Sequence, residues 1–273
     1  MKRLTAIPVY NEERHLESVL QEVRKYSERI VVVNDGSTDR TGELLGRQQN
    51  LAVITHEHNR GYGAALISAF QYALGQDIDV LVTMDCDGQH EPSRIPVLLE
   101  AIHDADIVSG SRYLRDFRQD ALPTPQDRQR INAQITADLN ERLGLNLTDA
   151  FCGFKAYRTT ALAQLRITEA GWGMPLQLWV QAACRKLRIK EVGVPRIYLD
   201  PNRAFGGVLN DAGERLAYYR RVIAEALANE NDGCRGELLS WSCQRLSETE
   251  TGPLNPESGV QSPFRTAKRG PCR

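Results

Sequence analysis

Short apolar runs alternate with amphipathic stretches through residues 1–112, and this alternation constrains the fold more than any other feature of the chain. LTAIPVY (4–10) reads as a strand, and Leu16, Val19, Leu20 and Val23 then fall at the spacing of one helix face. IVVVN (30–34), LAVIT (51–55), VLVTM (80–84) and ADIVSGSR (105–112) read as further strands. GYGAALISAFQYAL (61–74) has the composition of a buried helix. Ile95, Leu98, Leu99 and Ile102 mark another, with Pro92 near its start. Such an alternation predicts an α/β fold, a mostly parallel sheet with helices on both faces. Ligands of such sheets bind beyond the carboxyl ends of the strands.

At 273 residues the chain can bury a substantial core, and with 34 basic and 35 acidic residues its formal charge is −1. Nothing in that balance favours nucleic acid or an anionic membrane as a partner. The apolar part of MKRLTAIPVYNEER is too short for a signal peptide, and no later run approaches the roughly 20 apolar residues that span a bilayer. These features place the chain in the cytoplasm. The six cysteines form no CxxC pair, which argues against a zinc site and a disulfide framework and for reduced thiols, with Cys152 and Cys184 as small apolar residues.

Three polar clusters follow three of the strands: Pro8, Tyr10, Asn11 and Glu12; Asn34 to Ser37; and Asp85, Asp87 and Gln89. Each alone could be turn chemistry, but together they converge on one sheet edge. In TMDCDGQHEP (83–92), an extended backbone would turn Asp85 and Asp87 to one side and Cys86 to the other. Two adjacent carboxylates repel unless a cation lies between them, and a hard divalent ion such as Mg²⁺ or Mn²⁺ suits oxygen ligands. A calcium loop of the EF-hand type fails, because Gly88 stands fourth and no glutamate stands twelfth. His90 reads as a surface or hydrogen-bonding residue rather than a ligand.

IPVYNEE, VVVNDGSTDRT, NRGYGAAL, DCDGQHEP and GSRY, in this order and spacing, resemble the inverting glycosyltransferases of family 2, which have the GT-A fold. Within that family the chain is most similar to the polyprenyl-phosphate sugar transferases typified by dolichyl-phosphate mannose synthase, over roughly residues 4–205. The resemblance implies a GDP- or UDP-sugar donor and a divalent ion, Mg²⁺ or Mn²⁺, bridging the donor diphosphate to Asp85 and Asp87. It implies Gln89 as a further metal-side residue and Cys86 as part of the same donor-binding segment. Pro8, Tyr10 and Glu12 would border the nucleoside, and Asp35 would hydrogen-bond the base.

Departure of a diphosphate needs positive charge, and arginine forks suit phosphate. The candidates are Arg112 in GSRY, Arg128 or Arg130 in a DRQR loop, with Arg130 the choice, and Arg203 in a Gly-rich flap after a last strand at RIYL. That flap lacks the lysine common in the family. Asp149 in NLTDAFCGFKAYR matches an acidic position on the acceptor side, where it would be the general base for a hydroxyl acceptor and dispensable for an ionised phosphate. Its structural alternative is a partner for Lys155 or an arginine. Relatives often carry a glutamate where Gln177 stands, which leaves Asp149 as the acid to name.

The catalytic domain is expected over residues 1–229, closing with a helix over 209–229, and a disordered tail over 230–273. Leu216, Tyr219, Val222, Ile223 and Leu227 form that helix's apolar stripe, flanked by Arg215, Arg220 and Arg221. Packing on the domain and peripheral contact with a membrane are both open to it. The acceptor expected is a polyprenyl phosphate, with a glycan hydroxyl or a non-catalytic nucleotide-sugar-binding role as alternatives. A nucleotidyltransferase is disfavoured, because Pro8-Val9-Tyr10 stands where a Gly-rich loop would follow the first strand.

Overall fold

The structure, a computed structural model, describes residues 1–114, 126–197 and 207–230. Its elements run β1 (Arg3–Val9), α1 (Leu16–Val23), β2 (Ile30–Asn34), α2 (Thr41–Gly46), β3 (Ala52–Thr55), α3 (Tyr62–Leu74), β4 (Val80–Thr83), α4 (Ile95–Ala101) and β5 (Ile107–Ser111). They continue with α5 (Gln126–Leu143), β6 (Lys155–Arg158), α6 (Thr159–Leu162), α7 (Met174–Cys184), β7 (Ile189–Gly193) and α8 (Ala212–Asn229). The strands form one seven-stranded sheet in the order β3-β2-β1-β4-β6-β5-β7 among the described residues. β1 lies parallel to β2 and β4, β2 to β3, and β5 to β7, whereas β6 is antiparallel to β4 and β5.

Strand periodicity divides the apolar residues between two cores. Leu4, Ala6, Val31, Val33 and Leu81 face one side, where they meet α3, α5, α7 and α8. Ile7, Val9, Val32, Val80 and Val82 face the other, covered by α1 and α4. The central strands β1, β2 and β4 are buried on both faces, which is why they read as continuous apolar runs. β3 alternates partly buried with exposed positions, as an edge strand does.

The chain winds outward from β1 through β2 to β3 and then returns to place β4 on the other side of β1, a topological switch point. The antiparallel β6 adds a second effect. Its first residue, Lys155, pairs with Thr83 at the end of β4 and with Ser109 in β5, so the segment leading into β6 arrives where the parallel strands end. Asp149 to Phe154 thereby join the same edge as Asp85 and Arg112.

Glycines permit the close approaches at this edge. Gly36 has φ 67° and is pressed against the backbone of His58. In NRGYGAAL, a Cβ on Gly63 would lie 2.8 Å from the carbonyl carbon of Ala170, because the start of α3 abuts the 169–171 backbone. Gln177 and Gln181, one turn apart on α7, hold the same loop. Gln177 Oε1 accepts the amides of Thr168 and Glu169 at 2.8 Å, and Gln181 Oε1 accepts that of Arg166 at 2.7 Å. Gln177 is therefore a loop clamp.

Several expectations need correction. DRQR is not a loop but belongs to the first turns of α5, and the last strand among the described residues is Ile189–Gly193, while the expected strand at RIYL lies partly outside them. The closing helix forms and packs against α5 and α7. Arg215 does not flank its surface, because it is buried and ion-paired with Asp127 at 2.6 Å. Cys86 and Cys152 are free and buried as expected, whereas Cys184 is disulfide-bonded. The tail from residue 231 and the flap with Arg203 lie outside the described residues.

Replacing Gly63 with alanine should destabilise the fold by about 1–3 kcal/mol, the usual scale of overpacking, and urea unfolding monitored by circular dichroism measures it. An unchanged midpoint would contradict the close packing of α3 on the 169–171 loop.

Candidate active site

The carboxyl ends of β1, β2, β4 and β5 open onto a cleft of about 950 Å³, at the upper end of what small-molecule and cofactor sites occupy. Pro8, Tyr10, Glu12 and Asp35 line one end. The loop after β1 is clamped to the loop after β2: Glu12 N–H donates to Thr41 Oγ1 at 2.9 Å, and Thr38 N–H to Asn11 Oδ1 at 2.8 Å. Asp35 is buried and ties down the loop before α3. Its Oδ1 accepts the Arg60 amide at 2.9 Å and meets His56 Nδ1 at 2.6 Å, while Oδ2 accepts the Gly61 amide at 2.8 Å.

At the middle of the cleft stand Asp85, Cys86, Asp87 and Gln89. β4 ends at Thr83, so a turn rather than an extended segment presents the two carboxylates, with Gly88 at φ 74° and Asp87 Oδ1 accepting the Gln89 amide at 3.0 Å. Cys86 is buried among the apolar residues beneath α1 and α4 and also lines the cleft. His90, read from sequence as a surface or hydrogen-bonding group, has a side chain only 6% exposed and stacks on Phe154 at 5.2 Å. Its Nδ1 accepts the Asp85 amide at 3.0 Å, which assigns the proton to Nε2, 3.8 Å from Asp85 Oδ2.

This donor set fits a hard divalent ion. Asp85, Asp87 and the Gln89 amide oxygen would hold it, and the described residues contain no group of three His, Cys, Asp or Glu that would complete a protein cage. Waters and phosphate oxygens would fill the remaining positions, as is usual for Mg²⁺ and Mn²⁺.

Beyond the carboxylates lies a pair that the sequence offered as two separate candidates. Arg112, just past β5, donates from Nε to Asp149 Oδ2 at 2.7 Å and from Nη2 to Oδ1 at 3.0 Å, a bidentate bond. Asn132 Nδ2 donates to Asp149 Oδ1 at 3.2 Å, and the Phe151 amide donates to the same oxygen at 3.1 Å. Glu191 on β7 accepts the amides of Thr148 and Asp149, fixing the segment from below. Asp149 is 0% exposed, and Arg112 and Asn132, not Asp149, line the cleft. Burial alone would raise the carboxyl's pKa. The Arg112 charge and the hydrogen bonds from Arg112 and Asn132 outweigh it and hold the group at about 2. Lys155 is not its partner; its Nζ donates to the Cys152 carbonyl and lies 5.4 Å from the Trp179 ring.

On α5, Arg128 and Asn132 line the cleft one turn apart, whereas Arg130 is exposed and outside the lining. The expectation for Arg130 therefore passes to Arg128, a choice that helical phase makes and a loop reading could not. Tyr62, Phe151, Trp172 and Tyr219 add an aromatic wall, with Tyr62 stacked on Trp172 at 5.0 Å and Phe151 against Tyr219 at 4.8 Å. The sequence did not mark these four, or Asn132, as site residues; Tyr219 was placed only on the apolar stripe of the closing helix. The one available signal was the aromatic between two glycines in GYG.

Residues 5–166 match the family described as "Glycosyl transferase family 2", more than half of the chain. The chain belongs to glycosyltransferase family 2. Among relatives of this family 2 enzyme, the undecaprenyl-phosphate mannosyltransferase of Micrococcus luteus is 33% identical over 223 residues, covering 78% of this chain and 91% of that protein. The dolichyl-phosphate hexose transferase of Haloferax volcanii is 33% identical over 189 residues, 68% of this chain and 78% of its own. The enzyme's fold is GT-A-like. It superimposes on glucosyl-3-phosphoglycerate synthase from Mycobacterium tuberculosis, crystallised with Mn²⁺, UDP-glucose and phosphoglyceric acid, with a TM-score of 0.64 at 19% identity, covering 85% of this chain and 81% of that one.

Because its carboxyl is depressed in the fold, the stability Asp149 contributes is complete above the ordinary value of 3.8 and falls away as pH drops toward about 2. Wild type should lose about 2 kcal/mol through this group across that window, at roughly 1.4 kcal/mol per unit of displacement. Asp149→Asn should be less stable than wild type at neutral pH, with the gap narrowing below pH 4 in urea titrations; a gap independent of pH would contradict the ion pair.

Proposed function

We propose that this enzyme moves a hexose from a GDP- or UDP-sugar to a polyprenyl phosphate, with inversion at the anomeric carbon. The state of Asp149 carries the reading. A hydroxyl acceptor needs a base within reach of its proton. Asp149 is buried behind Arg112 and Asn132, fully engaged, and ionised with a pKa of about 2, a poor proton acceptor. A phosphate acceptor arrives already ionised and needs no base. Its oxygen attacks the anomeric carbon, the bond from that carbon to the donor diphosphate breaks, and the products are a nucleoside diphosphate and a sugar phosphodiester, with no proton to move.

The other features assume matching roles. Asp85, Asp87 and Gln89 would hold Mg²⁺ or Mn²⁺, which when bound offsets charge on the departing diphosphate. Pro8, Tyr10, Glu12 and Asp35 border the nucleoside, with Cys86 in the donor-binding segment between Asp85 and Asp87. Arg112, steadied by Asp149, directs its remaining N–H groups to phosphate. Arg128 takes the acceptor phosphate beside the aromatic wall, which suits the first carbons of a lipid. Arg203 belongs to the same scheme as a donor contact. The two relatives named above, a transferase to undecaprenyl phosphate and one to dolichyl phosphate, support the acceptor class. No described helix is long and apolar enough to cross a membrane, so the lipid would be met at its surface. Arg220 and Arg221 on α8 remain exposed for that contact.

The deciding assay supplies a short-chain polyprenyl phosphate and, separately, simple sugars, with a panel of nucleotide sugars and Mn²⁺. Transfer to the lipid phosphate is expected, and transfer to sugars alone would reject the reading. Asp87→Ala should abolish turnover with the fold intact, as should EDTA; full activity in EDTA would contradict the metal's role. Arg128→Ala should raise the acceptor KM roughly ten-fold or more, the scale of one charge-assisted phosphate contact, with the donor KM unchanged.

A further inference from the structure

Asp85 is held far more closely than a turn carboxylate requires. The Tyr62 hydroxyl donates to Asp85 Oδ1 at 3.0 Å from the first turn of α3, and its ring is clamped by the stack on Trp172, 12° from parallel. On the opposite side the Asp85 amide is bonded to His90. Beneath both oxygens runs the backbone of Gly153, where a Cβ would lie 2.6 Å from Tyr62 Oη, 2.7 Å from Asp85 Oδ2 and 2.9 Å from Oδ1. A side chain at Gly153 would therefore displace the Asp85 carboxylate or the Tyr62 hydroxyl, although the glycine's own φ is not in the left-handed region.

We propose that Tyr62 is a positioning residue for the metal site: its hydroxyl pins Asp85 Oδ1 and, with Gly153 as the floor and His90 Nε2 3.8 Å from Oδ2, fixes the orientation of the carboxylate that would hold the cation. The inference rests on the metal role proposed above. A carboxylate free to rotate about its Cβ–Cγ bond would have to be ordered at each binding event, and a fixed one carries that cost in the fold.

Tyr62→Phe keeps the ring, the stack and the volume and deletes only the hydroxyl. Mn²⁺ binding to the full chain is measured by electron paramagnetic resonance of the free ion, with saturating UDP or GDP, alongside the melting temperature without metal. The expected result is a roughly ten-fold rise in the Mn²⁺ Kd, the scale of one hydrogen bond to a charged group, with the melting temperature and metal-free nucleotide binding unchanged. In turnover the Mn²⁺ concentration for half-maximal rate should rise with it. Gly153→Ala, which pushes on the same carboxylate from below, should weaken Mn²⁺ binding as well and carries the test if Tyr62→Phe loses its fold. Wild-type Mn²⁺ affinity in a folded Tyr62→Phe protein overturns the positioning role alone. Absence of Mn²⁺ binding in wild type with either nucleotide overturns the metal reading, and this inference with it.

Discussion

The antiparallel pairing of β6 between β4 and β5 is the constraint on which the site depends. A purely parallel sheet places only the loops after its strands at the carboxyl edge. By running the other way, β6 brings the segment that precedes it to that edge, so that Lys155 stands across from Thr83 and Ser109. Asp149 consequently meets Arg112, Gly153 lies under Asp85, and the Trp179 indole reaches the carbonyl of Ala150 at 2.9 Å. Nothing local in residues 149–154 would produce these contacts.

Charge is arranged in that edge by pairing rather than by excess. A buried carboxylate is costly to desolvate, and Asp149 is tolerable because a bidentate guanidinium, an amide side chain and two backbone amides, those of Arg112 and Phe151, saturate it. The same bonds hold Arg112 at the rim of the cleft with its planar group oriented. Arg215 is treated similarly: it is buried against Asp127 and the carbonyl of Leu209, and so ties the start of α8 to the start of α5. Arg128 and Asn132 stand on that tethered part of α5. The positive side of the cleft thus depends on ion pairs whose other members lie outside its lining.

Much of this was legible in the chain. The strand and helix runs, the switch of loops to one edge and the Asp-x-Asp segment follow from apolar periodicity and from polar residues placed directly after buried strands. Family membership followed from five ordered motifs, and the match over residues 5–166 agrees with it. The errors lie where local pattern has no access to the answer. DRQR has the composition of a loop, yet it forms helix because α5 buries Ile131, Ile135 and Leu139 further along. Helical phase then turns Arg128 inward and Arg130 outward. His90 is a hydrogen-bonding residue as expected, but its stack on Phe154 was not legible because Phe154 is remote in sequence.

Sequence alone determined the layers of the fold, because burial on both faces of β1, β2 and β4 leaves a continuous apolar signature that no other architecture explains as well. It also offered the residues whose chemistry suits a hard cation, since side-chain chemistry is independent of where the chain goes. Only the tertiary structure decided that Arg112 and Asp149 are joined in one ion pair rather than standing as two separate candidates. Their separation along the chain is bridged by strand pairing, and the pKa of a carboxylate is set by what surrounds it rather than by its neighbours in sequence. The cradle of Tyr62 and Gly153 around Asp85 belongs to the same class: three segments meet there because a sheet, two helices and an antiparallel strand bring them together.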